Sequence, residues 1–459
     1  MQLIRQFHKD LGDRDFYRAM LAIAIPITIQ QLISSLLNML DVLMVGQLGD
    51  ASIAALGLSN QVFFLLTLLL FGLTSGAAVF TTQYWGQRDI ASIRRVLGIC
   101  LTIALISAGI FTVAAFFFPE RVLGFYTNDP EVIAIGARYL RIVSLTYLML
   151  AVSGAYQSVL RSVQQVRIPM MVSVIALTFK TCLGYVLIFG LFGLTKMGVD
   201  GAAISTLAAR FVEMGLILTL SYKLNTPAAA RLSELFSYNL PFLSKVLRTT
   251  LPALFNEIIW SFGVTTYNSI YAHIGTDAIA AINVNGTFEN LAFVTYIGIG
   301  TACAIMVGNS IGADDAERAY RLTRTYLILG LILSLITAVM VLLFAPLLIG
   351  LYQISPVTAL YSRQILIIYA LTVWLRSTNF MFFIGILRAG GDTRFALIVE
   401  ACTMWLVGVP LAALGGLVFH LPVPVVYGLV MLEELTKLFI VLPRYRTRKW
   451  IHNLVAAAA

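Results

Sequence analysis

The sequence predicts an all-α polytopic membrane protein of twelve transmembrane helices, arranged as two pseudo-symmetric six-helix bundles. Three observations support this prediction: an unusually apolar composition, long apolar runs, and a repeat that relates the two halves. The chain is 59% hydrophobic and 12% charged over 459 residues, whereas a soluble domain is about 45–50% apolar and about 25% charged. The apolar surplus must face lipid, where backbone polar groups are satisfied only within helices or closed barrels.

Twelve long apolar runs account for most of the chain. Runs such as LLTLLLFGL and LILGLILSLITAV lack the alternation of a barrel strand, so they indicate helices. Turn residues and charge clusters place the predicted spans near 17–46, 51–84, 93–118, 131–160, 167–192, 199–222, 246–273, 278–308, 322–349, 359–388, 394–417 and 423–443. Several spans exceed about 25 residues, so we expect some helices to tilt, kink or project from the bilayer.

Lysine and arginine residues lie mainly in the loops on one side of these spans, and we count Arg161 and Arg388 among them. The other side carries only Arg121, Arg138, Arg141, Lys196 and Arg363. By the positive-inside rule the basic side is cytoplasmic, and both termini and the 223–245 connection lie there. The net charge of +9 is therefore a topology signal. We expect a multi-pass protein of the cytoplasmic (inner) membrane and no nucleic-acid partner.

An internal repeat relates the two halves of the chain. An offset of 226 residues aligns Pro26 with Pro252, and LGDASIAAL (48–56) with IGTDAIAAI (274–282). An offset of 227 aligns SVLRSVQQVR (158–167) with GILRAGGDTR (385–394). The sequence therefore predicts an N-terminal half over 1–222, a cytoplasmic connecting segment over 223–245 and a C-terminal half over 246–459, in which the closing AAAA is interpreted as an artificial tail.

The repeat spans an even number of helices, so both halves have the same orientation in the membrane. Parallel repeats of this kind are a transporter architecture, although duplicated membrane folds also occur in channels and enzymes. Pro26 and Pro252 each open the first helix of a half, where a lost backbone hydrogen bond permits either a hinge or a static kink.

Motifs for other functions are missing from the sequence. It contains no GxxxxGK[ST] segment for ATP, no HExxH motif and no cysteine cluster, and its four cysteines lie inside apolar runs. We therefore expect a protein that is not an enzyme and that has no cofactor and no metal cluster. An ion gradient must supply the energy, unless transport is only facilitated.

Several segments of the second half resemble the multidrug and toxic-compound extrusion (MATE) family. These are LPALFNEI, IGTDAIAA, ENLAFVTYIGIGTACAIMVGNSIGA and GILRAGGDTR, and the match runs through nearly the whole chain. The resemblance implies a V-shaped pair of six-helix bundles. It also implies antiport, in which inward proton or sodium flow drives export of an organic, often cationic and amphipathic, compound.

Asp41 and Lys180 are ionisable residues inside predicted spans, where a charge costs at least about 2.5–3.5 kcal/mol and therefore suggests function. Asp41 matches the amino-terminal carboxylate of the family. Lys180 departs from the family pattern, which has Asn there and Asp or Asn at the position of Gly184. Lys180 is too deep to reach water, so we predict an Asp41–Lys180 ion pair that opens when Asp41 is protonated or when substrate competes. The alternative is a static pair that fixes helix packing.

Glu257 matches a cation-binding acid in one branch of the family, and Asn256 precedes it. The repeat aligns these two residues with Gln30 and Gln31. The second acid of that branch is replaced here by Arg376, which puts a complete sodium site at Glu257 in doubt. An amine at Lys180 likewise argues against sodium in the first half. We therefore favour H⁺ over Na⁺ as the coupling ion.

Glu289 matches a glutamate that part of the family carries. We predict that Arg376 forms an ion pair with Glu289 or with Glu257, in a functional or a structural role. Asn283 and Asn285 are candidates for lining the same cavity. The spacing of Arg210 with Glu213 and of Glu433 with Lys437 favours local structural pairs.

Two cargo classes remain open. The first is a small organic compound, cationic or amphipathic, exported by a monomer embedded in the lipid bilayer. The second is a dedicated lipid-linked precursor or metabolite, flipped or exported by a related fold. A cavity rich in Arg and Lys favours an anionic headgroup, whereas Asp41, Glu257 and Glu289 favour a cation.

Overall fold

The computed structural model describes residues 14–350, 352 and 354–456. This part of the chain is helical and contains no β-strand. The predicted loop charges Arg5 and Lys9 and most of the closing alanine run lie outside the described residues.

Twelve long helical segments coincide with the twelve predicted spans. The first six are α1 (Arg14–Gly46), α2 (Asp50–Gln87), α3 (Ile90–Phe117), the consecutive pair α5 (Pro130–Ser144) and α6 (Thr146–Ser162), α7 (Arg167–Phe189) and α8 (Gly198–Lys223). The second six are α10 (Leu240–Ile274), α11 (Thr276–Gly312), α12 (Ala316–Ile349), α13 (Pro356–Arg388), α14 (Thr393–Val418) and α15 (Val423–Arg446). Two short helices, α4 (Pro119–Gly124) and α9 (Leu232–Leu235), lie between them.

Nine of these helices in the described residues are long and apolar enough to cross a membrane, and the α5–α6 pair, bent by 43°, is a tenth. The remaining two, α10 and α15, have the length of a span but carry polar side chains in their interior. Asn256 and Glu257 lie in α10, and Glu433, Glu434 and Lys437 lie in α15. The polar residues of these two helices therefore need partners inside the fold.

Local sequence signals set several helix starts. The Asp89 carboxylate accepts a hydrogen bond from Ser92 N at 3.0 Å at the start of α3, and the Ser355 hydroxyl accepts one from Thr358 N at 3.1 Å at the start of α13. These caps satisfy amide groups that have no partner within the helix. Pro26 and Pro252 lie at the same distance after the first residues of α1 and α10, and therefore inside both helices.

The chain divides into two compact units. The amino-terminal unit comprises Pro26–Arg248, and the carboxyl-terminal unit comprises residues 14–25 together with the described residues from Thr249 onward. Residues 14–25 thus belong to the second unit, where the rings of Phe16 and Tyr326 pack edge to face with centroids 5.4 Å apart.

The connecting segment after α8 belongs to the amino-terminal unit. Arg94 of α3 forms an ion pair with Glu234 of α9 at 2.7 Å, and the Tyr84 ring stacks on Phe242 with centroids 6.3 Å apart. Gly98 of α3 lies directly against the backbone of Leu235, where an added Cβ would overlap the carbonyl oxygen. A glycine is needed at this close approach.

Apolar side chains form the core of each unit. In the carboxyl-terminal unit the core lies between α10, α11, α13, α14 and α15, and includes Tyr271, Ile365 and Val426. Outward faces remain apolar; on α12, for example, Leu335 and Leu343 are each 68% exposed. Large apolar faces of this kind suit contact with lipid tails and are rare on soluble domains.

Candidate functional site

The predicted ion pair between α1 and α7 is present in the amino-terminal unit. Lys180 Nζ lies 2.5 Å from Asp41 Oδ2, and both side chains are 22% exposed. The helices around it are apolar, so each charge depends on the other for compensation. The structure thus confirms the contact, while its role in transport stays a prediction.

The surroundings of Lys180 explain part of its departure from the family pattern. Gly184, one turn after Lys180, lies against α8, where an added Cβ would be 3.1 Å from Ser205 Oγ and 3.9 Å from Met44 Cε. For the Asp or Asn of the family pattern to fit there, Ser205 would have to shift by a few tenths of an ångström. The lysine and the glycine are therefore mutually consistent replacements, because the amine supplies the polar group and the glycine makes room for Ser205.

A chain of polar side chains crosses the interior of the same unit. The Gln30 amide donates to Ser173 Oγ at 2.8 Å. Arg161 donates to Gln30 at 3.3 Å and to Gln157 at 3.1 Å. The predicted pair of Arg210 and Glu213 is present at 2.5 Å, and Gln157 donates to Glu213 at 3.0 Å. The chain links α1, α6, α7 and α8.

Glu257 has a partner that the sequence reasoning missed. Its Oε1 accepts a hydrogen bond from Arg388 Nη2 at 2.7 Å, and the two side chains are 11% and 5% exposed. The sequence predicts Arg388 among the loop charges, but the structure places it inside α13 with a buried side chain, so the loop position is wrong. The side chain lies in the interior because the last turn of α13 directs it toward α10. The neighbouring Asn256 is also buried.

Arg161 requires the same correction. It was expected in a cytoplasmic loop, but it lies in the last turn of α6 and points toward α1. Arg161 and Arg388 occupy equivalent positions in the internal repeat, as do Gln30 and Asn256. In both units, therefore, the arginine of the repeated segment reaches the polar residues of the first long helix. The partners are neutral amides in one unit and the Glu257 carboxylate in the other.

Glu289 and Arg376 form a second ion pair in the carboxyl-terminal unit, one of the two pairings predicted for Arg376. Arg376 Nη1 lies 2.5 Å from Glu289 Oε2, and the Tyr427 hydroxyl donates to Glu289 Oε1 at 2.6 Å. The alternative pairing of Arg376 with Glu257 is wrong, because Arg388 occupies that carboxylate. On the same helix Asn285 is buried and donates to Ala281 O at 2.7 Å, whereas Asn283 is exposed.

A further buried cluster lies between α14 and α15, and we call it the Lys437 cluster: Glu400, Glu433, Glu434 and Lys437. Lys437 Nζ lies 2.8 Å from Glu400, 2.6 Å from Glu433 and 3.7 Å from Glu434. The sequence predicted only the Glu433–Lys437 pair. The missed signals were Glu400, an acid inside an apolar segment, and the doublet at 433–434.

Two neutral side chains complete the Lys437 cluster. The Tyr267 hydroxyl of α10 donates to Glu433, and the Asn379 amide of α13 donates to Glu434 at 2.7 Å. In the described part of the chain, no group of three or more His, Cys, Asp or Glu side chains is placed to hold a metal ion.

Comparison with known proteins places this architecture in a family. The MatE family model matches residues 26–186 and 252–414, which is one match in each unit and most of the chain. A curated relative, "Probable multidrug resistance protein NorM" from Rhizobium meliloti, is 27% identical over 399 residues, covering 85% of both chains. "Uncharacterized transporter YisQ" from Bacillus subtilis is 25% identical over 453 residues and 98% of both chains.

Solved structures share the fold over nearly the whole length. A MOP superfamily transporter from Pyrococcus furiosus superposes with a TM-score of 0.86 at 21% identity over 96% of both chains. A mutant of the Vibrio cholerae MATE transporter VcmN superposes with a TM-score of 0.87 at 18% identity, over 96% of this chain and 98% of that one. Family members are transporters, not enzymes. The family model matches both halves of the chain, and this chain therefore belongs to the MATE family of membrane transporters.

Proposed function

We propose that this transporter is a secondary active antiporter that exports organic, cationic or amphipathic compounds in exchange for protons, with Asp41 as a proton-accepting group. The observation that carries the proposal is the ion pair of Asp41 with Lys180, a single carboxylate balanced by a single ammonium inside an apolar bundle. Export of drugs is supported by relatives named multidrug resistance proteins.

The pair can respond to a proton because its two charges depend on each other. Protonation of Asp41 removes the negative charge and leaves Lys180 as an uncompensated cation in an apolar setting, which is unfavourable. The ammonium must then find another acceptor. A cationic cargo can also open the pair, because it competes with the Lys180 ammonium for the Asp41 carboxylate.

The environment of Glu257, the other candidate acid, also argues for protons over sodium, but for a different reason. Glu257 is bound to Arg388, and a sodium ion would have to displace the guanidinium from the carboxylate. An arginine keeps its charge under all physiological conditions, whereas a buried lysine can release a proton. The amino-terminal pair is therefore the better candidate for a titrating switch.

The cargo follows less directly from these charges. Each of Asp41, Glu257 and Glu289 has a cationic partner, which are Lys180, Arg388 and Arg376. The acids therefore do not make either unit strongly negative, and a cationic cargo must exchange with a protein cation. This exchange suits an antiporter, in which cargo and proton bind alternately.

A second candidate cargo is an anionic one, such as the headgroup of a lipid-linked precursor or a dedicated metabolite. The supporting observation is Lys180, whose side chain is 22% exposed and whose ammonium becomes available to a phosphate once Asp41 is neutral. For the Pyrococcus furiosus transporter, a reverse polarity of the binding pocket is said to suggest a different function.

The test is export of a fluorescent cationic dye from proteoliposomes under separately imposed proton and sodium gradients. Proton-driven export that is lost in Asp41→Asn and kept in Glu120→Gln supports the proposal, because Glu120 belongs to an exposed pair with Arg141. Sodium-driven export that is lost in Glu257→Gln contradicts it and moves coupling to the other unit. Failure to move dye under either gradient favours the anionic cargo.

We also propose the cytoplasmic membrane as the location, with both termini in the cytoplasm and a monomer as the working unit. Support comes from the loop arginines and lysines that remain on one side after Arg161 and Arg388 are reassigned to the interior. Labelling of single cysteines introduced at Asn225 and Asn128 with a membrane-impermeant thiol reagent tests the orientation. The proposal requires labelling of Asn128→Cys from outside the cell, and labelling of Asn225→Cys from outside overturns it.

A further inference from the structure

The Lys437 cluster contains more carboxyl groups than cationic groups, and it is buried. Three carboxyl groups surround one ammonium, and the side chains of Lys437, Glu400 and Glu433 are 6%, 8% and 3% exposed. The proposed antiport through Asp41 does not use this cluster, which lies in the other unit.

The charges nearby do not remove this excess. Arg376 acts electrostatically on Glu434, but it is already paired with Glu289. The other groups that face the cluster, Tyr267 and Tyr271 of α10 and Asn379 of α13, are neutral at ordinary pH. Four carboxyl groups thus share two cations. Buried like charges of this kind are relieved when a carboxyl group keeps its proton.

Unpaired acceptors give a second, independent indication of a missing hydrogen. Asn379 is 3% exposed, and its Oδ1 has no donor among the described residues, although its amide nitrogen lies on Glu434. Glu433 Oε1 also lacks a directed hydrogen bond there, despite its proximity to Lys437. Buried acceptors without donors are costly, and a carboxylic acid proton supplies one more donor.

The three carboxyl groups differ in how well their ionised forms are supported. Glu433 accepts from Tyr267 and lies beside Lys437, and Glu434 accepts from Asn379 and interacts with Arg376. The carboxyl group of Glu400 receives a single hydrogen bond from the described residues, from Lys437. Hydrogen bonds to a carboxylate favour its charged form. Glu400 is therefore the acid that most readily keeps its proton.

We infer that the Lys437 cluster is a proton-binding site of the carboxyl-terminal unit, holding one exchangeable proton at neutral pH on Glu400. The Lys437 ammonium occupies the place among the carboxylates that a metal cation would need, so the exchanging species is a proton. The inference rests on the proposed function in one respect: if export is proton-driven, this cluster is a second binding site for the transported proton.

The experiment is infrared difference spectroscopy of the purified full-length protein in lipid nanodiscs, stepped from neutral to alkaline pH in H₂O and in D₂O. A protonated buried carboxyl group gives a C=O band that shifts on deuteration and disappears on deprotonation. We expect this band at neutral pH, and we expect its loss in Glu400→Gln, which conserves the shape of the side chain. Glu213→Gln is the matched control, because Glu213 is a buried acid already balanced by Arg210 and Gln157.

The outcomes separate the site from the proposed transport mechanism. A band that survives unchanged in Glu400→Gln overturns the assignment, and absence of any such band in the parent protein shows that the cluster is fully ionised and overturns the site itself. If Glu400→Gln does not fold, Lys437→Gln provides the second test: without their shared cation the carboxyl groups keep more protons, so a larger or shifted band supports the cluster, and an unchanged band overturns it. If the band behaves as expected but dye export does not depend on a proton gradient, the proposed antiport is refuted and the proton-binding site is still supported.

Discussion

At the scale of single residues, charge compensation decides which side chains can lie inside this protein. Lys180 lies near the middle of α7 with most of its side chain buried, and the Asp41 carboxylate compensates its charge at 2.5 Å. The same holds for Glu257 with Arg388 and for Glu289 with Arg376. In each pair, substitution of one partner should therefore destabilise the protein more than substitution of both partners.

This reasoning gives a prediction for the Asp41–Lys180 pair. Lys180→Met leaves a carboxylate without compensation and should destabilise the protein by about 2 kcal/mol, less than the about 3–5 kcal/mol of a fully buried pair because a fifth of each side chain is exposed. The double variant Asp41→Asn/Lys180→Met should recover most of that loss. Thermal unfolding of the parent, the two single variants and the double variant in detergent measures the coupling. Additive shifts in the unfolding temperature would mean that the pair has no mutual dependence.

A second residue-scale prediction uses the repeat. Arg388→Gln removes the cation from Glu257 and should cost about 3–5 kcal/mol. The equivalent change Arg161→Gln leaves mainly the neutral amides of Gln30 and Gln157 without a donor and should cost about 1–3 kcal/mol. Chemical denaturation of both variants provides the comparison, and an equal or reversed order would contradict the charge argument.

The sequence predicts some of these contacts and misses others for a physical reason. Asp41, Lys180, Glu289 and Arg376 are predictable because a charge in the middle of an apolar run must find an internal partner. The contact of Arg388 is not predictable, because this residue lies close to a polar loop, where an arginine side chain can point into the fold or into solvent. The direction of its side chain depends on the last turn of α13, which is a π-helix over Met381–Arg388 and rotates the residues after it.

At the scale of helices and connections, close backbone contact explains the position of the segment after α8. This segment lies on α3, held by the Arg94–Glu234 pair and by the absence of a side chain at Gly98. Sequence patterns predict the twelve helices with ends within six residues of those observed, because apolar runs and caps are local. They did not predict that 223–245 packs on α3, nor that Glu400 of α14 meets Lys437 of α15, because the register between two helices is not a local property.

Gly98 supports an element-scale prediction. Gly98→Ala places a methyl group where the Leu235 carbonyl lies, so α9 must shift, at a cost of about 1–3 kcal/mol. Gly109→Ala, on the same helix, has nothing within 4 Å of the new Cβ and should be neutral or stabilising by up to about 1 kcal/mol, because alanine favours a helix over glycine. Unfolding temperatures and limited proteolysis of the segment test both variants, and equal behaviour would show that the segment is not seated on α3.

At the scale of the whole molecule, each unit combines a buried interior of paired charges with an edge of charged loops. The edge of the amino-terminal unit includes Glu234, whose pKa is held below its usual range by the backbone N–H of Arg231 and by the Arg94 guanidinium. In the carboxyl-terminal unit burial alone would raise the pKa of Asp392, but hydrogen bonds with His452 and Arg444 outweigh burial and lower it. Trp450 and the segment after α15 cover the loop that carries Asp392.

These lowered pKa values predict how the molecule responds to acid. A carboxyl group whose pKa is lower in the folded than in the unfolded protein stabilises the fold above the unfolded value, about 3.9 for Asp and about 4.3 for Glu. That contribution is lost as the pH falls through the folded pKa. We therefore expect a constant contribution from both acids near neutral pH and its loss only below about pH 4.

Substitution separates the two acids from the rest of the protein. Asp392→Asn should lower the unfolding temperature at pH 7, where the wild-type carboxylate binds Arg444 at 2.8 Å, and should lower it less at pH 3, below the unfolded pKa of Asp, where the stabilising contribution of the carboxylate is smaller. Glu234→Gln should show the same pattern with a smaller amplitude, because its pair with Arg94 is more exposed. Thermal unfolding at both pH values decides the matter. A deficit in Asp392→Asn that is as large at pH 3 as at pH 7 would mean that the residue acts by packing, whereas a deficit that shrinks at pH 3 ties acid sensitivity of the carboxyl-terminal unit to this carboxylate.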